Sequence, residues 1–261
     1  MRESRFFREA ALVAAFVGVA AAGHAQDWSW DGRVAPGQGV EIKGVNGDVK
    51  AAPAVGDRVE VTAVKKARRS DPASVQVKVV EHAGGVTICA VYPTREGQAP
   101  NECRPGERGH MNVQDNDVSV SFTVRVPAGV RFVVRTVNGS IEADGLTGDV
   151  AAHTVNGGVR LSTAGKAEAE TVNGSITAAV GQADGTEPLS FKTVNGSIAL
   201  DLPAGVGAEV RAATVNGEVH SDFPLSGQAR VSRRHLSGTI GGGGRPLALD
   251  TVNGSINIRQ R

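Results

Sequence analysis

The chain has 261 residues, 34 of them glycine, with 40% hydrophobic and only 4% aromatic content and a formal net charge of +1. Acids and bases are interspersed, so the chain lacks the basic face that nucleic-acid binding requires, and no nucleic-acid partner is expected. A glycine-rich, aromatic-poor chain of this length points to one sizeable domain of many short strands and tight turns.

The first 25 residues carry Arg2, Arg5 and Arg8, then an apolar run over 10–22, then Gly23-His24-Ala25. A basic start, an apolar stretch too short to span a bilayer and small residues at the cleavage positions predict a secretory signal peptide over 1–25. The mature chain would start at Gln26 with no transmembrane segment, in the periplasm of a bacterium or secreted from it. Trp28 and Trp30, the only tryptophans, then stand at its start. If the strands that follow are stacked, they are placed to help cap an end that would otherwise expose core and unpaired edges.

Gly44-Val45-Asn46-Gly47 is the first trace of a motif that dominates the second half of the chain. Beyond it, valine-rich alternating runs over 59–64, 75–79, 86–91 and 118–126 read as degenerate strands of the same stack. Lys65, Lys66, Arg68 and Arg69 form a short basic run ahead of Ser70-Asp71-Pro72, which reads as a solvated turn. The segment over 92–117 is rich in Pro, Gly, Arg and Asn and reads as a long inserted loop. Cys89 and Cys103 are the only cysteines, and in an oxidising compartment a nearby pair predicts a disulfide that pins this loop. Closing a loop of about 15 residues contributes roughly 3 kcal/mol on the chain-entropy account.

Thr-Val-Asn-Gly-Ser-Ile then occurs in full from Thr136, Thr171, Thr193 and Thr251, with shorter copies from Thr154 and Thr214. Residues alternate around each copy: Ile141, Val159, Ile176, Ile198, Val219 and Ile256 share one face, and Glu142, Arg160, Thr177, Ala199, His220 and Asn257 the other. Period two means β-strand with one buried side. Asn-Gly is expected to make a tight turn with positive φ, and the recurrent Thr-Val suggests a kink that would rescue an otherwise exposed valine.

In a meander of hairpins nothing favours identical residues at every turn, whereas in a parallel stack identical amides sit about 4.8 Å apart and can bond into a ladder. The expected ladder comprises Asn46, Asn138, Asn156, Asn173, Asn195, Asn216 and Asn253, taken in chain order. The long gap before Asn253 holds a degenerate copy over 236–240 that would restore the period. The fold expected over 26–261 is all-β, a parallel β-helix (β-solenoid) with about 20 residues per rung.

The column just before each Thr reads Arg135, His153, Glu170, Lys192, Ala213, Asp250 in chain order, with no acidic cluster. Glu170 over Lys192 reads as an exposed ion pair worth about 0–1 kcal/mol. The histidines are scattered, no nucleophile turn or calcium nonapeptide occurs, and the repeats offer no aromatic platform for sugars. No catalytic residue, cofactor or metal site is therefore expected. Asn-Gly-Ser matches the glycosylation triplet, a match read as incidental in a bacterial chain.

The Thr-Val-Asn-Gly-Ser-Ile repeats, and the segment over 122–139 leading into them, resemble the bacterial putative-adhesin family of β-strand-repeat domains of unknown function. The resemblance covers nearly all of the mature chain and implies an extracytoplasmic parallel β-helix. It supplies no catalytic or binding residues. The function expected is that of a non-enzymatic adhesin, scaffold or surface interaction module for an envelope or extracellular protein or glycan, with end-to-end self-association as a further option. The rival is a carbohydrate-active parallel β-helix enzyme of the polysaccharide lyase or hydrolase type, which would need carboxylates clustered on one face.

Overall fold

A computed structural model describes residues 28–107, 111–181 and 186–261; the predicted signal peptide over 1–25 and the start at Gln26 lie outside the described residues. The fold is all-β, with one short 3-10 turn at Pro72–Ser74. One sheet runs, in spatial order, β1 (Trp28–Arg33), β4 (Arg58–Lys66), β7 (Ser119–Val126), β3 (Val49–Pro53), β9 (Ile141–Leu146), β11 (Val159–Thr163), β13 (Ile176–Val180), β15 (Ile198–Leu202), β21 (Ile256–Gln260), β17 (Val219–Ser221). The facing sheet runs β18 (Leu225–Val231), β19 (His235–Ile240), β16 (Ala208–Asn216), β20 (Arg245–Asn253), β14 (Leu189–Asn195), β12 (Ala167–Asn173), β10 (Val150–His153), β8 (Arg131–Arg135), β2 (Gly39–Lys43), β6 (Gly85–Val91), β5 (Gln76–His82).

Each motif copy links a strand of the second sheet to one of the first. The rungs therefore stack, from one end, as β6/β7, β2/β3, β8/β9, β10/β11, β12/β13, β14/β15, β20/β21 and β16/β17, with parallel pairing between neighbours. Inward positions repeat at every level, so Ile141, Val159, Ile176, Ile198 and Ile256 form one buried column, and Val134, Ala152, Ala169, Phe191 and Leu249 face it from the other sheet. Stacking like on like buries these side chains almost completely, at about 25 cal/mol for each Å² of apolar surface removed from water.

Several expectations are corrected. The motif threonines are buried and the valines after them stay exposed. The backbone does break its regular pattern at the expected place, since the Val155 and Asn156 N–H groups both donate to Val137 O and those of Val172 and Asn173 both to Val155 O, but the irregularity does not turn the valine inward. The buried Thr hydroxyls are satisfied across the stack: Thr154, Thr171 and Thr193 donate to the carbonyls of Gly139, Gly157 and Gly174 at 2.8–2.9 Å. Nor are the Asn-Gly corners turns of positive φ, since none of the motif asparagines and, of the motif glycines, only Gly47 (φ 124°) lies there. Glycine is needed for closeness instead. A Cβ on Gly174 would lie 2.0 Å from the carbonyl oxygen of Gly157, and one on Gly196 would meet Gly174 in the same way.

Chain order is also not stacking order. The last repeat, β20/β21, inserts between β14/β15 and β16/β17, so Asn253 and not Asn216 follows Asn195. The first rung, β2/β3, is likewise held between β6/β7 and β8/β9. The segments over 59–64, 75–79 and 236–240, read as degenerate rungs, belong to antiparallel strands that close the two ends: β4, β5 and β19. Trp28 and Trp30 lie on β1, antiparallel to β4, half-buried and packed against the core.

Candidate functional site

Outside the motif-bearing sheet, three features run side by side across the rungs: the charged column before each Thr, the exposed valine after it, and the asparagine at the corner. Each exists because the strand places alternate residues outward and the stack copies that choice from rung to rung. Val137, Val155, Val172, Val194, Val252 and Val215 are 38–55% exposed and form a continuous apolar stripe. Period-two alternation up to the buried Thr places the valine outside, and the irregularity that follows it leaves the asparagine outside as well.

All seven expected ladder asparagines come together. Asn138 Nδ2 donates to Asn46 Oδ1, Asn156 to Asn138, Asn173 to Asn156, Asn195 to Asn173, Asn253 to Asn195 and Asn216 to Asn253, at 2.7–2.8 Å throughout. Every amide donor points the same way, toward the β6/β7 end. Each amide keeps one N–H and one lone pair for water or a ligand. The serines beyond bond the next backbone: Ser175 Oγ accepts from Ser197 N at 3.1 Å, and Ser197 Oγ from Ser255 N at 3.2 Å.

In the charged column, Lys192 Nζ lies 3.7 Å from Glu170 Oε1, as expected of an exposed pair. His153 stands between two carboxylates, with Nδ1 3.5 Å from Glu170 Oε2 and Nε2 4.0 Å from Glu168 Oε1. A shallow groove of about 390 Å³ lies here, lined by His153, Glu170, Val172, Lys192, Val194 and Asp250 among others. Glu170 lies between His153 and Lys192, and Asp250 is the register neighbour of Lys192 on the next rung, so charges of both signs alternate along the groove.

Beyond the groove, past the two rungs of Arg135 and Lys43, lies the rung from which the insertion springs. Gly85-Val-Thr-Ile-Cys-Ala-Val-Tyr aligns position for position with Gly39-Val-Glu-Ile-Lys-Gly-Val-Asn, so Tyr92 stands in the asparagine position of the β6/β7 rung. That alignment was available in the sequence and identifies the terminator of the ladder. Tyr92 is buried, and its hydroxyl donates to Val118 O at 2.7 Å, where the chain re-enters the stack. Burial raises its pKa, opposed by backbone and side-chain hydrogen bonds from Asn46.

Cys89 occupies the charged-column position of this rung and is disulfide-bonded to Cys103, with the Cα atoms 5.7 Å apart. The bond draws the insertion back over Lys43 and Glu41. Lys43 Nζ donates to Arg104 O at 2.5 Å and to Gly106 O, while buried Glu41 accepts from Thr87 Oγ1 and Gly106 N, both at 2.9 Å. Arg135 Nε faces Glu41 Oε1 at 3.5 Å. Burial lowers the Lys43 pKa, the Glu41 carboxylate opposes the fall and Arg135 adds to it. A cavity of about 320 Å³ opens beside the disulfide, lined by Lys43, Glu102, Met111, Arg135 and Val137 among others. Within the insertion, Asn101 Nδ2 donates to Tyr92 O at 3.0 Å and to Asn112 O at 2.8 Å. Among the described residues, no group of three or more His, Cys, Asp or Glu could hold a metal, and no helix is long and apolar enough to cross a membrane.

The sequence profile of the Toastrack DUF4097 family matches residues 37–259. No curated protein matches the chain. A solved structure of a putative cell adhesion protein from Clostridium sporogenes is similar, with a TM-score of 0.51 at 11% identity over 90% of this chain and 100% of that one. A putative adhesin from Bacteroides fragilis aligns over 90% of this chain and 97% of its own at 11% identity, with a TM-score of 0.27, too low to bear on the fold.

Proposed function

The chain belongs to the Toastrack DUF4097 family, and on that premise we propose that it is a non-enzymatic adhesin, scaffold or surface interaction module working outside the cytoplasm. Its architecture would be that of a parallel β-helix, a β-solenoid with about 20 residues per rung. The domain would span 26–261, carry the disulfide-pinned insertion at 92–117 and reach the periplasm or the exterior after removal of residues 1–25. Its partner would be an envelope or extracellular protein or glycan.

The observation that carries this reading is the unbroken row of exposed valines beside a bonded row of asparagines. A fold that repeats one apolar and one polar position at every level makes a long contact face, and exposed apolar surface of that extent marks interaction sites. The adhesion-related description of the structural neighbour from Clostridium sporogenes is compatible with it. A lyase or hydrolase would need carboxylates free to act on one bond, whereas Glu170 is shared between His153 and Lys192.

The test is capture from an envelope fraction and on a glycan array, with residues 26–261 as bait. Binding that is lost in Val172→Glu/Val194→Glu and kept in Val55→Glu, at an exposed valine away from the face, is the expected result. Depolymerisation of a polysaccharide that Glu170→Gln abolishes would overturn the reading.

A further inference from the structure

We propose that the partner on this face is a second copy of the chain, docked antiparallel about a two-fold axis that passes between the Glu170 and Lys192 rungs. The inference rests on reading the valine face as a contact surface, and adds the occupant and the register.

Charge order sets the register. From the insertion end, the column reads Cys89, Lys43, Arg135, His153, Glu170, Lys192, Asp250, Ala213; Cys89 and Lys43 lie under the insertion, so the open part runs from Arg135 to Ala213. A two-fold axis lying along the strands reverses that order while keeping column on column and valine on valine. Centred between Glu170 and Lys192, it sets each Glu170 against the other copy's Lys192, each His153 against Asp250 and Arg135 against the neutral Ala213. Moving the axis half a rung sets Glu170 or Lys192 against itself. Moving it one rung toward the insertion sets Arg135 against Lys192, and one rung the other way leaves Glu170 facing Ala213. Of these registers, only the one centred between Glu170 and Lys192 pairs both acids with basic residues without setting like charges of the open column face to face; the others bring like charges together or leave Glu170 against a neutral residue.

Two further features agree with antiparallel docking. The asparagine ladder is polar, with every Nδ2 pointing toward the insertion end, so two antiparallel ladders oppose their amide dipoles. The insertion of one copy, where Glu102 pairs with Arg104 and Glu107 with Arg135, would come beside the β18/β19 cap of the other, where Arg230 and Arg234 are exposed. The contact would cover six rungs by three outward columns, roughly 30 Å by 15 Å or on the order of 450 Å² per copy, which is the small, reversible end of specific interfaces.

Sedimentation of residues 26–261 over a concentration series tests this. The expected result is a monomer–dimer equilibrium that weakens in high salt. Lys192→Glu should weaken dimerisation roughly tenfold by setting Glu against Glu170, Glu170→Lys should do the same, and the double reversal should restore it. Val172→Glu/Val194→Glu should abolish it while circular dichroism shows the fold retained. A wild-type chain that stays monomeric at every concentration would overturn the inference, and so would a dimer indifferent to these charge reversals and to salt. A monomer that still captures a glycan or foreign protein through the valine face would sink the self-docking proposal and leave the contact-surface reading standing.

Discussion

At the level of single residues, the motif divides its labour by physical need. Thr is buried and closes a hydrogen bond to the glycine carbonyl of the neighbouring rung, Val faces out, Asn builds the ladder, and Gly lets two backbones approach. Replacing Gly174 by Ala puts a Cβ against the Gly157 carbonyl, whose backbone cannot yield without disturbing the stack. Thermal or chemical unfolding should register a loss of about 2–4 kcal/mol for Gly174→Ala. Gly205→Ala, where nothing lies within 4 Å, should be near neutral. A second residue-scale expectation concerns Asp117, whose carboxylate accepts the backbone N–H groups of Ser70 at 2.8 Å, Arg69 at 3.1 Å and Arg68 at 3.2 Å. Those bonds, led by Ser70, hold its pKa at about 2 against an ordinary 3.8. Since the folded pKa is the lower one, its contribution is fully present above pH 3.8 and is lost as pH falls through about 2. Amide exchange at Ser70 should accelerate across that window, and Asp117→Asn should remove the pH dependence there.

At the level of elements, what could be read from sequence was set by self-similarity. Identical asparagines argued for parallel stacking because only a stack rewards identity, and the strands around Asn138, Asn156, Asn173 and Asn195 pair in parallel as expected. The end segments escaped because strand alternation looks the same in a parallel rung and an antiparallel cap: the valine run over 59–64 and the copy over 236–240 have the right period and the opposite direction. In the C-terminal cap, a register shift between Ser226 and Arg230, with Gly227 at φ 75°, breaks the regularity of β18, a device that discourages edge pairing. The insertion of β20/β21 was hidden because the order of stacked rungs leaves no mark in a sequence whose copies are interchangeable. It has a measurable consequence. Backbone amides of Leu247, Leu249 and Thr251, at the chain's end, should exchange as slowly as those of Phe191 and Thr193, and far more slowly than those of exposed β18. Fraying of β20 before β18 would count against it.

At the level of the whole molecule, the stack gives one side of the rod a single repeated surface and gives its ends antiparallel covers. The sequence disclosed the charged column and the asparagines of that surface, residue by residue. It did not disclose how the insertion closes one end, because the buried Glu41, the lysine beside it and the tyrosine that replaces asparagine act only when Arg104 and Gly106 fold back over the rung and Val118 re-enters the stack. Tucking both terminal rungs one level inward leaves internal segments to form the outermost rungs, β6/β7 and β16/β17, so the repeated valine and asparagine face is anchored at both ends. The ladder, the valine stripe and the charged column all depend on like positions lying on like in this particular order. The most direct measurement is side-chain amide contact by nuclear Overhauser effect in solution with asparagine-selective labelling. Cross-peaks linking Asn195 to Asn253 and Asn253 to Asn216, with none between Asn195 and Asn216, are the predicted result. Direct Asn195–Asn216 cross-peaks, or no contact among the motif asparagines at all, would contradict it.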